Sequence, residues 1–270
     1  MAPRLLYGTA WKAERTAELV GKAVQLGFRA IDTACQPLHY NERGVGQALQ
    51  LVAVPRHELF VQTKFSPLQS KETCPFDTTL AWDQQVSKSM EISLANLGTG
   101  YVDSLLLHVP LQSLEETMQV WRAMEAQVAS GSVKQLGVSN LYSLDMLRQL
   151  YSEATIKPKV VQNRFYSNAN FDKKIRAFCL EQGLEYQSFW TLTANPYILQ
   201  SGNVKQMAVG LGVTPEQVLF RFLTQEGVSP LTGTTQEVHM RQDLDIFNFE
   251  LSESQRKQLR QLLDLFAGLV

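Results

Sequence analysis

Cysteine is scarce in this sequence, and neither sign of charge is in excess. The three cysteines, Cys35, Cys74 and Cys179, are far apart and form no Cys-x-x-Cys pair. This spacing argues against a disulfide framework or a metal site, and it favours a reducing compartment. Because 25 basic residues balance 26 acidic ones, the charge gives no reason to expect a nucleic acid or an anionic membrane as a partner.

Long apolar runs are also lacking. No segment approaches the roughly 18 apolar residues that a membrane span requires. The opening MAPRLLYGTAWKAER reaches Lys12 and Glu14 too early to be a signal peptide. We therefore expect a soluble cytoplasmic protein. The predicted helices leave no large apolar stripe uncovered, which predicts a monomer.

The Gly-x-Gly-x-x-Gly fingerprint of an open dinucleotide-binding sheet is absent, since Gly8 is followed by Thr9 and Ala10. What the sequence does contain is a regular alternation of short apolar runs with longer stretches of helical period. Eight runs predict strands, at 5–9, 28–34, 59–65, 102–109, 133–140, 160–165, 184–190 and 228–233.

The stretches between these runs predict helices. They cover 14–26, 41–52, 82–97, 114–130, 143–153, 172–182, 203–224 (read as two helices) and 237–246, and a last helix opens at the capping-box pair Ser252 and Gln255. Strand–helix alternation implies parallel strands with right-handed crossovers. Eight such units in 270 residues predict a (β/α)8 TIM barrel, with 1–270 as one domain. The irregular segment 66–81 is expected to be a loop on the active-site face.

Charged and polar side chains stand at the ends of the predicted strands. Asp32, Lys64 and His108 end the second, third and fourth runs. A charged residue inside an apolar run is costly unless it is paired. Since the active site of such a barrel lies at the carboxyl ends of its strands, we expect these three side chains to converge at one rim.

Seven motifs resemble those of the aldo-keto reductase superfamily over nearly the whole chain. They are GTAW, FRAIDTACQPLHYNERGVGQAL, LFVQTKF, VDSLLLHVP, GSVKQLGVSNL, VVQN and FELSESQ. The resemblance implies nicotinamide-dependent carbonyl reduction by a tetrad of Asp32, Tyr40, Lys64 and His108. The neutral phenol of Tyr40 would donate the proton. At about 4 Å and an effective dielectric of about 20, the ammonium of Lys64 would stabilise the phenolate by on the order of 4 kcal/mol, which would lower the phenol's pKa. Asp32 would orient Lys64, and His108 the carbonyl.

The loop before Tyr40 departs from the family pattern. It is longer here, and Tyr40 directly precedes Asn41 and Glu42, so that counting back from Asn41 places the family's tyrosine at His39. We prefer Tyr40, because a longer loop can bring its phenol to the same place. If His39 were the acid, the pH profile would break near about 6–7.

Cofactor residues are also implied by the resemblance. Ser139, Asn140 and Gln162 would bind the nicotinamide carboxamide, and Phe189 would stack on the ring, with Trp190 as second choice. In the eighth run, after Pro230, the family's usual lysine is replaced by Leu231. The phosphate end would instead be held by Thr232, Gly233, Thr234, His239, Arg241 and Asp243. NADPH is the expected cofactor, with NADH use left open.

The substrate is expected to be a small carbonyl compound. Trp11, Val109 and Trp82 would line its site. Val109 is small, and no long C-terminal segment follows the last helix, so we expect an open, permissive pocket. Two other functions remain open: an aldolase-like Schiff-base enzyme with Lys64 as nucleophile, and a catalytically silent barrel that binds nicotinamide nucleotides as a sensor or subunit.

Overall fold

Eight parallel strands, in the order β1 to β8, close into a barrel within the part of the chain that the structure describes. The structure is a computed structural model that describes residues 5–67, 70 and 72–267. The strands are β1 (Leu6–Gly8), β2 (Ala30–Asp32), β3 (Phe60–Phe65), β4 (Ser104–Leu107), β5 (Leu136–Ser139), β6 (Val160–Arg164), β7 (Glu185–Phe189) and β8 (Val228–Thr232). The predicted TIM-barrel fold is confirmed, and each strand lies inside its predicted run.

Helices fill the predicted stretches. They are α1 (Thr16–Leu26), α2 (Glu42–Leu51), α3 (Trp82–Leu97), α4 (Leu114–Ala129), α5 (Leu144–Glu153), α6 (Lys173–Gln182), α7 (Pro196–Gln200), α8 (Gly202–Leu211), α9 (Pro215–Gln225), α10 (Glu237–Leu244) and α11 (Glu253–Ala267). The capping box at the start of α11 is confirmed, since the Gln255 backbone N–H donates to Ser252 Oγ at 3.3 Å and Ser252 N to Gln255 Oε1 at 2.8 Å. The sequence did not predict α7, which has only five residues.

The described residues form two compact units. One is Tyr7–Gln162, and the other starts at Asn163 and also includes Leu5 and Leu6. That 1–270 forms one domain stays a prediction, and its ends, 1–4 and 268–270, lie outside the described residues. So do 68, 69 and 71 of the predicted loop 66–81. None of the helices described here is long and apolar enough to cross a membrane.

The register of the first unit places the strand-end residues at matching heights. Asp32 on β2 pairs with Gln62 on β3, and Ser139 on β5 pairs with Gln162 on β6. Lys64 lies two residues beyond Gln62, and hence on the same face of β3. Parallel pairing in this register therefore directs Asp32, Gln62 and Lys64 to one side of the sheet.

Candidate active site

A buried ion pair joins the ends of β2 and β3. Lys64 Nζ lies 2.7 Å from Asp32 Oδ2, and the two residues are only 1% and 2% exposed. The other carboxylate oxygen, Oδ1, accepts hydrogen bonds from Gln62 Nε2 at 2.7 Å and from Gln162 Nε2 at 2.9 Å. Three donors thus compensate the Asp32 carboxylate for the loss of water.

The ammonium of Lys64 stays charged in this setting. Burial by itself lowers the pKa of Lys64, but attraction to the Asp32 charge and the hydrogen bond to Asp32 outweigh it, so that the pKa is raised. Lys64 Nζ also donates to the Thr33 carbonyl at 2.9 Å. The lysine is therefore a fixed positive charge at the carboxyl end of the barrel strands.

Tyr40 is brought against this charge by the turn that precedes α2. The Tyr40 backbone N–H donates to the Gln36 carbonyl at 3.0 Å, and Asn41 caps α2 by accepting from Gly44 N at 2.9 Å. The ring centroid of Tyr40 lies 5.2 Å from Lys64 Nζ and 6.0 Å from that of His108, edge to face. The longer loop thus still places the ring of Tyr40 near Lys64 and His108.

The ring of His39 packs against a tryptophan. Its ring lies against that of Trp11, with centroids 3.9 Å apart, and its carbonyl accepts from the Trp11 backbone N–H at 2.8 Å. Both belong to loops at the rim, and Trp11 is largely exposed.

The phenol of Tyr40 holds its proton. Burial raises the pKa of Tyr40; the attraction of Lys64 lowers it, but by less, and the charge of Asp32 raises it further. The net direction is opposite to the lowering that the sequence suggested, because the cost of burying a phenolate exceeds the benefit of the nearby ammonium. A protonated phenol is the form that a proton donor requires.

His108 is a neutral imidazole. Burial, followed by repulsion from Lys64 and His39, lowers the pKa of His108 to about 3. The ring forms a hydrogen bond with Ser66, whose Oγ lies 2.6 Å from Nδ1. The His108 carbonyl accepts from Asn140 Nδ2 at 2.9 Å, so both ring and backbone are fixed.

The three residues predicted for the carboxamide are linked to each other in the first unit. Ser139 Oγ donates to the Gln162 carbonyl at 2.7 Å, and Asn140 Nδ2 lies 3.3 Å from Ser139 Oγ. Asn140 adopts the left-handed conformation, with φ of 56°. Its amide donates inward through Nδ2, which leaves its Oδ1 as an acceptor. The link from Gln162 to Asp32 joins this group to the ion pair.

In the second unit, the aromatic residues at the end of β7 are partly exposed. Phe189 is half-buried, and its carbonyl accepts from the Phe165 N–H at 3.1 Å. Trp190 is about half exposed at φ 55°, and its ring lies 4.2 Å from the guanidinium carbon of Arg164. Either ring is accessible enough to stack on a flat ligand.

The segment after β8 forms a polar turn that leads into α10. Thr232 Oγ1 donates to Asp243 Oδ2 at 2.7 Å, and both residues are buried. Gly233 is exposed and Thr234 half-buried. His239 is exposed, with Nδ1 3.4 Å from Thr234 Oγ1. Asp243 is thus hydrogen-bonded to Thr232 inside the protein, whereas Gly233 and His239 lie at the surface.

Arg241 already has a partner on α10. Its Nη2 lies 2.7 Å from Glu237 Oε1, one helical turn away, and both side chains are well exposed. An exposed ion pair of this kind contributes little stability. The guanidinium can therefore turn to another anion at small cost.

Of the three predicted substrate residues, Trp11 contacts the loop that carries Tyr40, because its ring packs on His39. Val109 follows His108 and is half-buried, and Trp82 is half-buried at the first residue of α3. Within the described ranges, no hydrogen bond or ring contact links Trp82 or Val109 to the tetrad, and no group of His, Cys, Asp or Glu could hold a metal.

Three buried polar residues of the site were not predicted. Gln62 donates to Asp32, and Ser66 contacts His108. Glu42 accepts from Thr63 Oγ1 at 2.6 Å. The two-residue period of a strand could have identified Gln62, which shares the face of Lys64. Ser66 and Glu42 carry no such signal.

Known proteins resemble this chain along nearly its full length. It is 31% identical to the glyoxal reductase of Bacillus subtilis over 245 residues, covering 91% of this chain and 82% of that protein. The methylglyoxal reductase DkgA of Yersinia pestis is 26% identical, with 99% and 90% covered. The crystal structure of an aldo/keto reductase from Brucella melitensis superposes with a TM-score of 0.83 at 26% identity, covering 96% of this chain and 95% of that one.

The profile of the aldo/keto reductase family matches residues 5–264. This match covers the barrel strands, the ion pair, the tyrosine turn and the segment after β8. It also confirms the resemblance that the motifs suggested. The chain therefore belongs to the aldo/keto reductase family.

Proposed function

We propose that this protein reduces an aldehyde or ketone to an alcohol with NADPH, and that Tyr40 is the general acid. The observation that carries the proposal is the position of the Tyr40 ring, whose centroid lies 5.2 Å from the buried ammonium of Lys64 and 6.0 Å from the ring centroid of His108. A protonated phenol close to a fixed positive charge supports the proposal. Carbonyl reduction requires both, because negative charge develops on the carbonyl oxygen.

Each member of the tetrad has a separate task. The nicotinamide, when bound, supplies a hydride to the carbonyl carbon. Tyr40 gives its phenolic proton to the oxygen, and the charge of Lys64 stabilises the phenolate that remains. Asp32 keeps Lys64 charged and oriented. His108, as a neutral ring, donates a hydrogen bond that orients the carbonyl.

The residues present fit a nicotinamide cofactor. A carboxamide needs both donors and acceptors, and Ser139, Asn140 and Gln162 offer amide and hydroxyl groups of both kinds. We assign ring stacking to Phe189. Barrels of this type frequently bind phosphate at the loops after strands 7 and 8 and at the start of a short helix, which corresponds to the turn before α10.

For the phosphate end we propose Thr232, Gly233, Thr234, His239, Arg241 and Asp243, with NADPH preferred and NADH possible. Arg241 would leave Glu237 to bind the 2′-phosphate, while Leu231 offers no charge. The variant Arg241→Ala should weaken NADPH binding by about tenfold and leave NADH binding unchanged, since a charge-assisted hydrogen bond contributes roughly 1.5–3 kcal/mol. Equal losses for both cofactors would contradict this assignment.

The proposed substrates are carbonyl compounds of small to moderate size. We propose that Trp11, Trp82 and Val109 line the substrate site. Two relatives are named as reductases of glyoxal and methylglyoxal, so these dicarbonyls are the first candidates. We propose that the protein works as a cytoplasmic monomer without a metal.

The proposal is tested by titrating tryptophan fluorescence with NADPH and NADH, followed by NADPH consumption against a panel of aldehydes and ketones. Binding with turnover supports the proposal and ranks the cofactors. Binding without turnover would favour the silent nucleotide-binding barrel. Absence of binding would overturn the nicotinamide assignment.

The Schiff-base alternative is disfavoured by the pairing of Lys64. An ammonium bonded to Asp32 at 2.7 Å, with a raised pKa, is a poor nucleophile. Borohydride trapping of a carbonyl substrate on Lys64 would reverse this judgement.

A further inference from the structure

Ser66 contacts the imidazole of His108 but belongs to none of the groups assigned above. It follows β3 directly, two residues beyond Lys64, and is 4% exposed. Its Oγ lies 2.6 Å from His108 Nδ1. A buried hydroxyl against a ring nitrogen determines how that ring can bond on its other side.

The backbone of His108 is held on both sides of the residue. Its N–H donates to the Phe65 carbonyl at 2.9 Å, which extends the pairing of β3 and β4. Its carbonyl accepts from Asn140 Nδ2. With the backbone and Nδ1 fixed, Nε2 is the ring nitrogen that remains to meet a substrate.

The charge state of the ring leaves a choice between two tautomers. Because burial and the nearby Lys64 and His39 lower the pKa of His108 to about 3, the ring carries one proton at neutral pH. A neutral imidazole has one donor and one acceptor nitrogen. If Nδ1 held the proton, Nε2 would turn a lone pair towards the carbonyl oxygen and repel it.

We propose that Ser66 is a positioning residue that donates its hydroxyl proton to His108 Nδ1 and thereby keeps the imidazole proton on Nε2. The separation of 2.6 Å is a hydrogen-bonding distance in either direction, and donation by Ser66 is the direction that leaves an Nε2–H to meet a carbonyl oxygen. This choice of direction rests on the proposed function, whereas the measurement of the tautomer does not.

The tautomer is measured directly by long-range ¹H–¹⁵N NMR of the protein labelled on its four histidines. The His108 signals are identified by their loss in His108→Gln. We expect an Nε2–H tautomer in the wild type, a mixture of tautomers in Ser66→Ala, and the wild-type pattern in Ser66→Thr. The control Ser113→Ala removes the capping serine of α4, and should leave His108 unchanged.

An Nδ1–H tautomer in the wild type would overturn the proposal, and so would an unchanged His108 spectrum in Ser66→Ala. If Ser66→Thr does not fold, the comparison of Ser66→Ala with Ser113→Ala still decides. These spectra are recorded on the protein alone, so they remain decisive even if no carbonyl is reduced.

Turnover supplies a second readout. The variant Ser66→Ala should lower kcat by about tenfold, the equivalent of one hydrogen bond of about 1.4 kcal/mol, with the Kd for NADPH unchanged. A tenfold loss without a change of tautomer would contradict the role of Ser66 and leave the reductase function standing.

Discussion

Breaking the ion pair between Asp32 and Lys64 should destabilise the fold strongly, and removing Asp32 should cost more than removing Lys64. The variant Asp32→Leu leaves the Lys64 ammonium buried, at 1% exposure, with the Thr33 carbonyl still accepting from Nζ at 2.9 Å. Removing one partner of a buried ion pair costs about 3–5 kcal/mol, because the other charge is left uncompensated. We expect Asp32→Leu to lower the free energy of unfolding by that amount.

The reverse substitution should cost less. In Lys64→Met, the Asp32 carboxylate keeps two amide donors, from Gln62 and Gln162. Hydrogen bonds to a charged group contribute about 1.5–3 kcal/mol each, so much of the carboxylate's solvation is retained. The double variant Asp32→Leu/Lys64→Met removes both charges and should be less destabilised than the sum of the single variants.

Thermal unfolding followed by circular dichroism measures these differences. In a chain of roughly this size, about 1 kcal/mol shifts Tm by about 2–4 °C, so Asp32→Leu should lower Tm by about 6–20 °C. As a control, Lys134→Met removes a half-exposed lysine that lies 2.9 Å from Asp103. Asp103 keeps its pair with Arg56 at 2.8 Å, so Tm should shift by less than about 4 °C. Additive losses in the double variant, or a Lys64→Met loss larger than that of Asp32→Leu, would refute the reasoning.

Two further predictions concern the scaffold. Gly46→Ala should destabilise the protein by about 1–3 kcal/mol in urea unfolding, because its Cβ would clash with the Asn96 carbonyl oxygen. Gly21→Ala, where a Cβ would meet nothing within 4 Å, should not destabilise it; equal effects of the two variants would contradict this. Burial raises the pKa of Asp243 from 3.8 to about 7, so between about pH 4 and 7 the folded state retains a proton that the unfolded chain has lost. The stability of the wild type relative to Asp243→Asn should therefore fall as pH rises through that window. If the urea midpoints of the two proteins change by the same amount over this pH range, the prediction is wrong.

The ends of strands and the starts of helices could be predicted from the sequence, because they depend on the local pattern of apolar and polar residues. Asp32, Lys64 and His108 interrupt apolar runs, and parallel strands bring such positions to one rim whatever the loops between them do. The conformation of the segment Ser167–Asp172 could not be predicted from the sequence. Asn170, Phe171 and Asp172 have φ angles of 49°, 49° and 53°, although none of them is a glycine. Tertiary contacts impose that conformation against local preference.

Side-chain partnerships were harder to predict than positions. In the sequence, Tyr40 lies one residue after the position that the family pattern assigns to the tyrosine. The turn at Gln36 shows how its ring still lies 5.2 Å from Lys64 Nζ. The pairing of Ser66 with His108 joins residues 42 apart. The direction of the Tyr40 pKa depends on how much burial outweighs the nearby charge, which no spacing encodes.

The central claim is that Tyr40 donates the proton in carbonyl reduction. It is tested by single-turnover NADPH oxidation with methylglyoxal in Tyr40→Phe, with His39→Gln as the matched control. We predict a loss of about 10²–10⁴-fold for Tyr40→Phe, with the Kd for NADPH unchanged, and a rate near that of the wild type for His39→Gln. Retained hydride transfer in Tyr40→Phe, with the loss appearing in His39→Gln instead, would contradict the account.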